Sequence, residues 1–559
     1  MRKFFCKGAI FLCVTAMVMA GCKSEGQSDN SGTIATENVQ SETAAGSKVF
    51  VNATVIELSD KEITVDGSVI SEDTESAVYA ANDIVFYLEG QDFTYGEGEE
   101  GDAHSQEEAD AHTVVHITEP GTYAVSGKLS AGQIAIDLGK DAEENPEAVV
   151  TLILNGVDIQ CSVAPAVIFY NVYECGVAEA DGATNTVDTS AAGANVVIAD
   201  GSVNNVTGAY VARIYKPDSV VLSADGTEVE DAKKLHKYDA AFYSKMSMNM
   251  NGDVDGTGIL NINAENEGLD SELHLTMNGG NINITSGNDG INTNEDGVSV
   301  TTVNGGTLKI KVNGNTGEGD GIDSNGWLVI NGGTVIAEAC SFSMDAGIDS
   351  DMGIHINGGT VIATGNMLDH ISESKQNYAV FQFSGSQKGG TSYCLKNEAG
   401  EVVAEYTPEN DFMYLIFAAE DMTAGTYTMW QGESQLAGSK GTAMGGFGGM
   451  MPEGNEIPEG MEFPGQGGFP GGNEIPEGME FPGQGEFPEG NEIPEGMEFP
   501  GQGEFPEQGE FPQGGEFPGR GQRPGGGRGD FGEMEDAEVS TEFVLEAGGN
   551  YFKNVKLAE

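Results

Sequence analysis

The chain has 559 residues, with 89 Asp and Glu against 25 Lys and Arg, and a formal net charge of −64. Such a surface repels nucleic acid and anionic lipid at long range and draws multivalent cations, so a nucleic-acid partner is excluded. Its seven cysteines include no CxxC spacing, which leaves no ready thiol metal site or redox motif.

In chain order, Arg2, Lys3 and Lys7 form a basic start, followed by a short apolar run from Ile10 to Ala20. The run is too short to span a bilayer comfortably. It ends in Met19-Ala20-Gly21-Cys22, small residues before a cysteine as at a bacterial lipobox. Residues 1–21 are therefore expected to be a lipoprotein signal peptide, removed before a lipid-bearing Cys22. The mature protein would be exported, lipid-anchored to the bacterial cell membrane and outward-facing, with a charge of −67 after three basic residues are lost. Residues 22–47 are mostly small and polar and read as a flexible linker.

Residues 48–370 are rich in Val, Ile, Thr, Asn and Gly in short alternating runs. The stretch from Gly96 to His116 is acidic, with His104, His112 and His116. No pair has a firm ligand spacing, so it reads as a solvated loop. Strands are expected over Tyr123–Leu129, Gln133–Leu138, Val149–Leu154, Ala166–Phe169 and Asn195–Ile198, with Asn155-Gly156 as a corner. Cys161 and Cys175 could form a disulfide or stay as buried thiols.

From Asn251-Gly252 onward a repeat governs the chain. Asn278-Gly279-Gly280, Asn304-Gly305-Gly306, Asn331-Gly332-Gly333 and Asn357-Gly358-Gly359 recur at intervals of 26, 27 and 26 residues. Period-2 apolar alternation flanks each copy, as in Leu275/Met277 before and Ile282/Ile284 after the first. Each unit thus has two short strands joined by a tight glycine corner. One unit cannot bury its apolar face alone, so the units must stack in parallel. A rung of this length suits a right-handed parallel β-helix. A leucine-rich horseshoe would need a different pattern, and a propeller a longer repeat.

Between the corners lies an acidic string. It reads Glu267-Gly268-Leu269-Asp270-Ser271, Asp289-Gly290-Ile291-Asn292-Thr293, Asp320-Gly321-Ile322-Asp323-Ser324 and Asp345-Ala346-Gly347-Ile348-Asp349-Ser350. The apolar residue should point inward and the acids outward along one edge. Parallel strands lie about 4.8 Å apart, where two carboxylates repel by roughly 1 kcal/mol even in bulk water. Calcium takes carboxylate and carbonyl oxygens at about 2.4 Å and could bridge two rungs. The expected cofactor is calcium, on a central column of Asp270, Asn292, Asp323 and Asp349 flanked by Glu267, Asp289, Asp320 and Asp345. The competing reading is that these residues only cap turns.

Beyond the repeats, strands are expected at Tyr378–Phe383, Val402–Tyr406, Phe412–Phe417 and Thr426–Trp430, and again at Ser540–Leu545 and Tyr551–Leu557. Between them, residues 444–533 are Gly/Pro/Glu-rich, with a 13-residue string restarting at Asn455, Asn473 and Asn491. That composition reads as disordered. Its Arg528-Gly529-Asp530 is best taken as chance. The fold class is therefore all-β: a parallel β-helix over 48–370, then a small β-sandwich-like domain of 376–443 and 534–559 that carries the disordered insertion.

The Asp-Gly-Ile-Asp-Ser and Asn-Gly-Gly-Thr-Val strings, with Leu152-Ile153-Leu154-Asn155-Gly156-Val157 upstream, resemble bacterial carbohydrate-binding lipoproteins of the calcium-containing parallel β-helix type. The resemblance covers about residues 110–370. It implies binding of cellulose or polygalacturonate (pectin) at the cell surface, and a calcium tract on Asp270, Asp289, Asn292, Asp320, Asp323, Asp345 and Asp349. Asn292 and Ala346 depart from the pattern by replacing acids.

The expected function is non-catalytic polysaccharide binding by a monomer. Trp327 is a candidate sugar-stacking residue. A pectate-lyase-like eliminase would need a basic group beside the metal. No arginine lies between Arg213 and Arg520, and Lys309 and Lys311 are the only lysines of the four full rungs. A surface adhesin stabilised by calcium is the third reading.

Overall fold

The computed structural model describes residues 50, 52–176, 180, 182–441 and 538–558. The expectations for 1–21 and 22–47, with Cys22, and for 444–533 lie outside the described residues. Among the described residues, helix is limited to the single turn Gln106–Asp110 and three short 3₁₀ turns. Everything else that is regular is β-strand.

The repeats build a coil whose rungs stack in register. Strands Met248–Gly252, Leu275–Met277, Val300–Val303, Trp327–Ile330 and Gly353–Ile356 pair in parallel along one sheet. After each corner, Ile259–Ala264, Asn281–Ser286, Thr307–Val312, Thr334–Glu338 and Thr360–Gly365 pair in parallel along a second. The acidic strings lie on a third, eight-stranded sheet, where Glu267–Ser271, Ile291–Thr293 and Ile322–Ser324 stack in parallel on Ala240–Ser244 and the earlier strands. Each rung therefore has three sides, where the sequence pattern suggested two strands and an intervening edge. The result is a β-helix-like fold.

Register places like residues in columns inside the coil. Met277, Val303, Ile330 and Ile356 form one column. Leu269, Ile291 and Ile322 form another on the third sheet. All are essentially inaccessible, and burying each such side chain contributes roughly 1.5–3 kcal/mol.

The corners need their second glycine. Gly280, Gly306, Gly333 and Gly359 have φ of 88°, 84°, 80° and 82°, the left-handed region that glycine enters without penalty. The glycine inside each acidic string has a different reason. A Cβ on Gly290 would strike the Ile310 side chain and the Gly321 carbonyl, because the third sheet presses directly on the second.

At each end of the coil an antiparallel strand adds to one of the sheets and covers an edge that would otherwise be open to pairing. Near the start, Val78–Ala81 pairs antiparallel with Thr113–Ile117. At the far end, Thr360–Gly365 pairs antiparallel with Phe412–Ala418. That strand belongs to a β-structure with its own aromatic core, including Phe381, Phe383, Tyr393, Phe412, Phe417, Phe543 and Phe552. Strand Gly549–Leu557 returns to pair with Tyr378–Gln387 and Ser434–Lys440. Glu338, 2% exposed, latches coil to cap by accepting the N–H groups of Glu409 and Asn410 and the Tyr406 hydroxyl.

Two details differ from expectation, and the cysteines follow one of the two alternatives left open. Val150–Cys161 is one strand running through Asn155-Gly156, because Gly156, at φ 87°, lets the chain bend without ending the pairing. The Gly96–His116 stretch is not a bare loop. His112 is 3% exposed and bonds the Glu108 carbonyl and Ser162, while His116 pairs with Asp83 and stacks on Tyr79. Cys161, Cys175, Cys340 and Cys394 are all free thiols.

The close approach of the sheets makes a specific expectation. Gly290→Ala should destabilise the protein by about 1–3 kcal/mol through overpacking. Gly101→Ala, where an added Cβ meets nothing within 4 Å, should stay within about 0.5 kcal/mol. Denaturant titration by circular dichroism compares the two; equal stability of both variants would contradict the packing described.

Candidate functional site

The third sheet brings the acidic strings together. Asp270 pairs with Asn292, and Asn292 with Asp323, on successive rungs. Asp349 extends the column without a formal strand. Ile322 donates its N–H to Gly347 O at 3.2 Å, and Asp349 donates to Ile322 O at 2.7 Å. A parallel column holds Glu267, Asp289, Asp320 and Ala346, since Gly268 donates to Asp289 O, Gly290 to Asp320 O and Gly321 to Ala346 O, each at 3.0 Å. Asp345 sits one residue outside this register. Its carboxylate accepts the Gly319 N–H at 2.6 Å and the Ser343 hydroxyl.

The ladder is less solvated than alternation alone implies. Asp270 is 0% exposed, Glu267 6%, and Asp289 and Asn292 8% each. Asp320, Asp323 and Asp349 are half-buried. Some carboxylate oxygens are used internally: Asp289 Oδ1 accepts the Asp320 N–H at 2.6 Å, and Asp320 Oδ1 that of Ala346 at 2.5 Å. Asn292 Nδ2 donates to Glu267 Oε1 at 3.1 Å, and Asn294 Nδ2 to Asp270 Oδ1 at 2.8 Å. Asn292 Oδ1 is buried with no hydrogen-bond partner in the protein.

Burial among like charges holds Asp289, Asp320, Asp323 and Asp349 towards their neutral form. Burial first, then the carboxylates of Glu267 and Asp323, raises Asp289 well above the usual range. Burial, then Asp289 and Asp349, does the same to Asp320. Asp323 is pushed up to about 7 by burial and then Asp349 and Asp351. Asp349 is pushed up to about 7 by burial and then Asp369 and Asp351.

Asp351 and Asp369 belong to this electrostatic group and escaped the sequence reading, since neither lies in the repeated string. Asp369 is raised to about 6, chiefly by burial, and its Oδ2 is a second buried acceptor without a partner. The register of Asp351 could have signalled it: its N–H donates to Ser324 O at 3.0 Å, continuing the ladder two residues past Asp349.

The other singled-out residues lie elsewhere. Trp327 is half-buried on the first sheet, between Val300 and Gly353 in register, past the bend that follows Ser324. Lys309 and Lys311 are on the second sheet, and Lys311 is engaged with Glu409. His112 and His116 have separate partners and do not converge.

The donors on the ladder are all oxygens, a set that suits a hard cation such as calcium. The buried, unpartnered Asn292 Oδ1 and the concentration of like charge fit such an ion. Among the described residues, no group of three or more His, Cys, Asp or Glu is already arranged to hold a metal. An ion here would draw on Asn292, backbone carbonyls or water as well as carboxylates.

Comparison with known proteins bears on the same region. The family model described as "Carbohydrate-binding domain-containing protein" matches residues 111–227 and 187–392, together about half of the chain. A carbohydrate-binding domain-containing protein of Acetivibrio thermocellus is 29% identical over 172 residues, covering 30% of this chain and 44% of that protein. The chain thus spans less than half the length of that relative. A solved polysaccharide lyase-like protein from C. thermocellum, in a gadolinium derivative, aligns over 58% of this chain and 93% of its own. Its TM-score is 0.30 and its identity 16%.

The electrostatics set a pH dependence for the metal-free protein. Folded-state values of about 7 for Asp323 and Asp349 lie above the ordinary 3.8. Their contribution is therefore fully present below pH about 4 and is lost as pH rises through about 7. In chelator, the melting temperature should fall by on the order of 5 °C or more between pH 5 and 8, and Asp323→Asn should flatten the slope. A melting temperature that rises over that interval in both proteins would refute the like-charge account.

Proposed function

The chain belongs to the family of carbohydrate-binding domain-containing proteins, and on that premise we propose that it binds polysaccharide at the bacterial cell surface without cleaving it, by way of calcium. The observation that carries this reading is the in-register column of Asp270, Asn292 and Asp323, extended by Asp349. Buried like charges of this kind call for a counter-ion. Asp270, Asn292, Asp323 and Asp349 would hold the cation, with Glu267, Asp289, Asp320 and Asp345 at its flanks. When bound there, calcium would supply the positive charge that offsets their repulsion and that an anionic glycan such as polygalacturonate would otherwise lack. The protein's own residues keep the rungs in register, exclude bulk water and fix the spacing of the oxygens.

A non-catalytic role is supported by the absence of Lys and Arg from all four strings and by the placement of Lys309 and Lys311 on a different sheet. An eliminase needs a base at the metal to remove a proton from the sugar.

Further parts of the reading concern the whole chain. The coil is right-handed, the hand of nearly all parallel crossovers. Residues 48–370 form the glycan-binding domain, and 376–443 with 534–559 the cap. Cys22, after signal removal, anchors a monomer to the membrane through lipid. Metabolic labelling with palmitate should mark the wild type and not Cys22→Ser; equal labelling of both would remove the anchor.

Retention on insoluble polygalacturonate tests the core claim. Wild type should be retained in calcium and released by chelator, with no unsaturated or reducing sugar appearing. Asp323→Ala combined with Asp349→Ala should weaken retention at least about tenfold. Sugar release would favour a pectate-lyase-like enzyme. Retention indifferent to chelator and to these substitutions would end the calcium reading, and no retention, with binding to protein instead, would leave an adhesin.

A further inference from the structure

A groove of about 450 Å³ crosses the outer side of the first sheet, away from the acidic strings. Its floor is another register column: Asn249, Thr276, Thr302, Val329 and His355 lie side by side on successive rungs. One wall is the row of corner asparagines. Asn278 donates from Nδ2 to Asn251 Oδ1 at 3.0 Å, Asn304 to Asn278 and Asn331 to Asn304 at 2.9 Å, and Asn357 to Asn331 at 2.8 Å.

Across this sheet runs a strap, residues 185–190, that also lines the groove. Thr189 Oγ1 lies 2.7 Å from both Asn249 Oδ1 and Thr276 Oγ1, and Asn249 Nδ2 donates to Thr189 O at 2.7 Å. At the other end, Asn185 Nδ2 sits 3.2 Å from His355 Nε2. The strap is thus tied to rungs on either side of Thr302 and Val329, which floor the space between.

The chemistry of these surfaces is repetitive and nearly uncharged. A primary amide has two N–H donors and a carbonyl with two lone pairs. Asn278, Asn304 and Asn331 each use one donor and one acceptor on their ladder neighbours. Asn278, Asn304 and Asn331 are exposed, so each presents its second donor and acceptor outward at a step of about 4.8 Å. That step is close to the advance of one pyranose unit along an extended glycan. The formal charges at the rim are Asp188, Glu373 and Lys375, and His355 Nδ1 faces Glu373 at 3.5 Å. Nothing here gives the excess positive charge that a uronate polymer requires.

We propose that this groove is a second glycan site, one that takes an uncharged, hydroxyl-rich polysaccharide laid along the coil axis and needs no metal. The proposal rests on the glycan-binding reading above but places a different ligand class on a different sheet. Ladder amides and floor hydroxyls exchange hydrogen bonds with sugar hydroxyls, and Val329 offers the one apolar contact of the floor column. Because the ladder is already fixed by its own hydrogen bonds, little side-chain freedom is lost on binding.

The test compares soluble β-glucan and xylan with polygalacturonate by affinity electrophoresis of the full chain. Wild type should be retarded by a neutral polymer equally in chelator and in calcium. Thr302→Tyr, which fills the floor, and Asn331→Leu, which removes one exposed amide, should each weaken that retardation at least about tenfold. Both variants should keep wild-type circular dichroism and stay within about twofold on polygalacturonate with calcium. Neutral-polymer binding that survives both substitutions, or that vanishes in chelator or in Asp323→Ala, would overturn the site. Binding of polygalacturonate but of no neutral polymer would overturn this proposal alone. Binding of neither would overturn the glycan-binding reading as well.

Discussion

Register between stacked rungs is the constraint on which the rest of this structure depends. In a parallel coil each residue meets its equivalent one turn away at the strand spacing. Whatever is placed at one position is therefore repeated as a column. Inside, the rule is harmless, since Met277 over Val303 over Ile330 simply extends the core. Outside, it is harmless only for groups that can satisfy one another. The glycines enforce it: Gly268, Gly290 and Gly321 let the third sheet approach until a single added Cβ would collide with a neighbouring backbone carbonyl.

Two outer columns show the two possible outcomes. Asparagine stacks on asparagine with donor meeting acceptor, so the corner ladder is self-satisfying from Asn251 to Asn357. Aspartate has no such option, because an ionised carboxylate is an acceptor only. The acidic columns relieve part of the strain with backbone N–H groups, as at Asp289 and Asp320. They relieve more by interruption: Asn292 donates to Glu267, and Ala346 removes a charge from the flanking column.

Much of this was legible in the sequence because it is local and periodic. The spacing of Asn278, Asn304, Asn331 and Asn357 announced the rungs, and the eight-residue offset from Asp270 to Asn278 and from Asp323 to Asn331 carried the alignment of the central column. What escaped depends on contacts between distant segments. No pattern in the string around Asp289 says that it is buried. The strap of residues 185–190 lies over strands that follow it by 60 to 170 residues, and its own sequence has no periodicity. Asp369 joins the acidic group from beyond the last repeat. The Asn155-Gly156 pair has a corner's composition yet lies within a strand, because pairing on both sides of Gly156 continues on neighbouring rungs.

The separation of these columns onto different sheets has a functional consequence. A single rung carries a carboxylate on its third side and, past the next bend, an amide at its corner: Asp270 and Asn278, then Asp323 and Asn331. Sites built this way extend by whole turns, so the length of a bound polymer is matched by the number of rungs and not by loop design. A linear repeating ligand is the natural complement of such a surface, since each added unit meets the same donors and acceptors as the last. On the reading proposed above, the charge-bearing column would take a polymer with an acid in every unit, by way of a cation. The amide column suits one whose units offer only hydroxyl groups. That the same fold can present both follows from the period alone, because every turn of the chain must pass each side of the coil once.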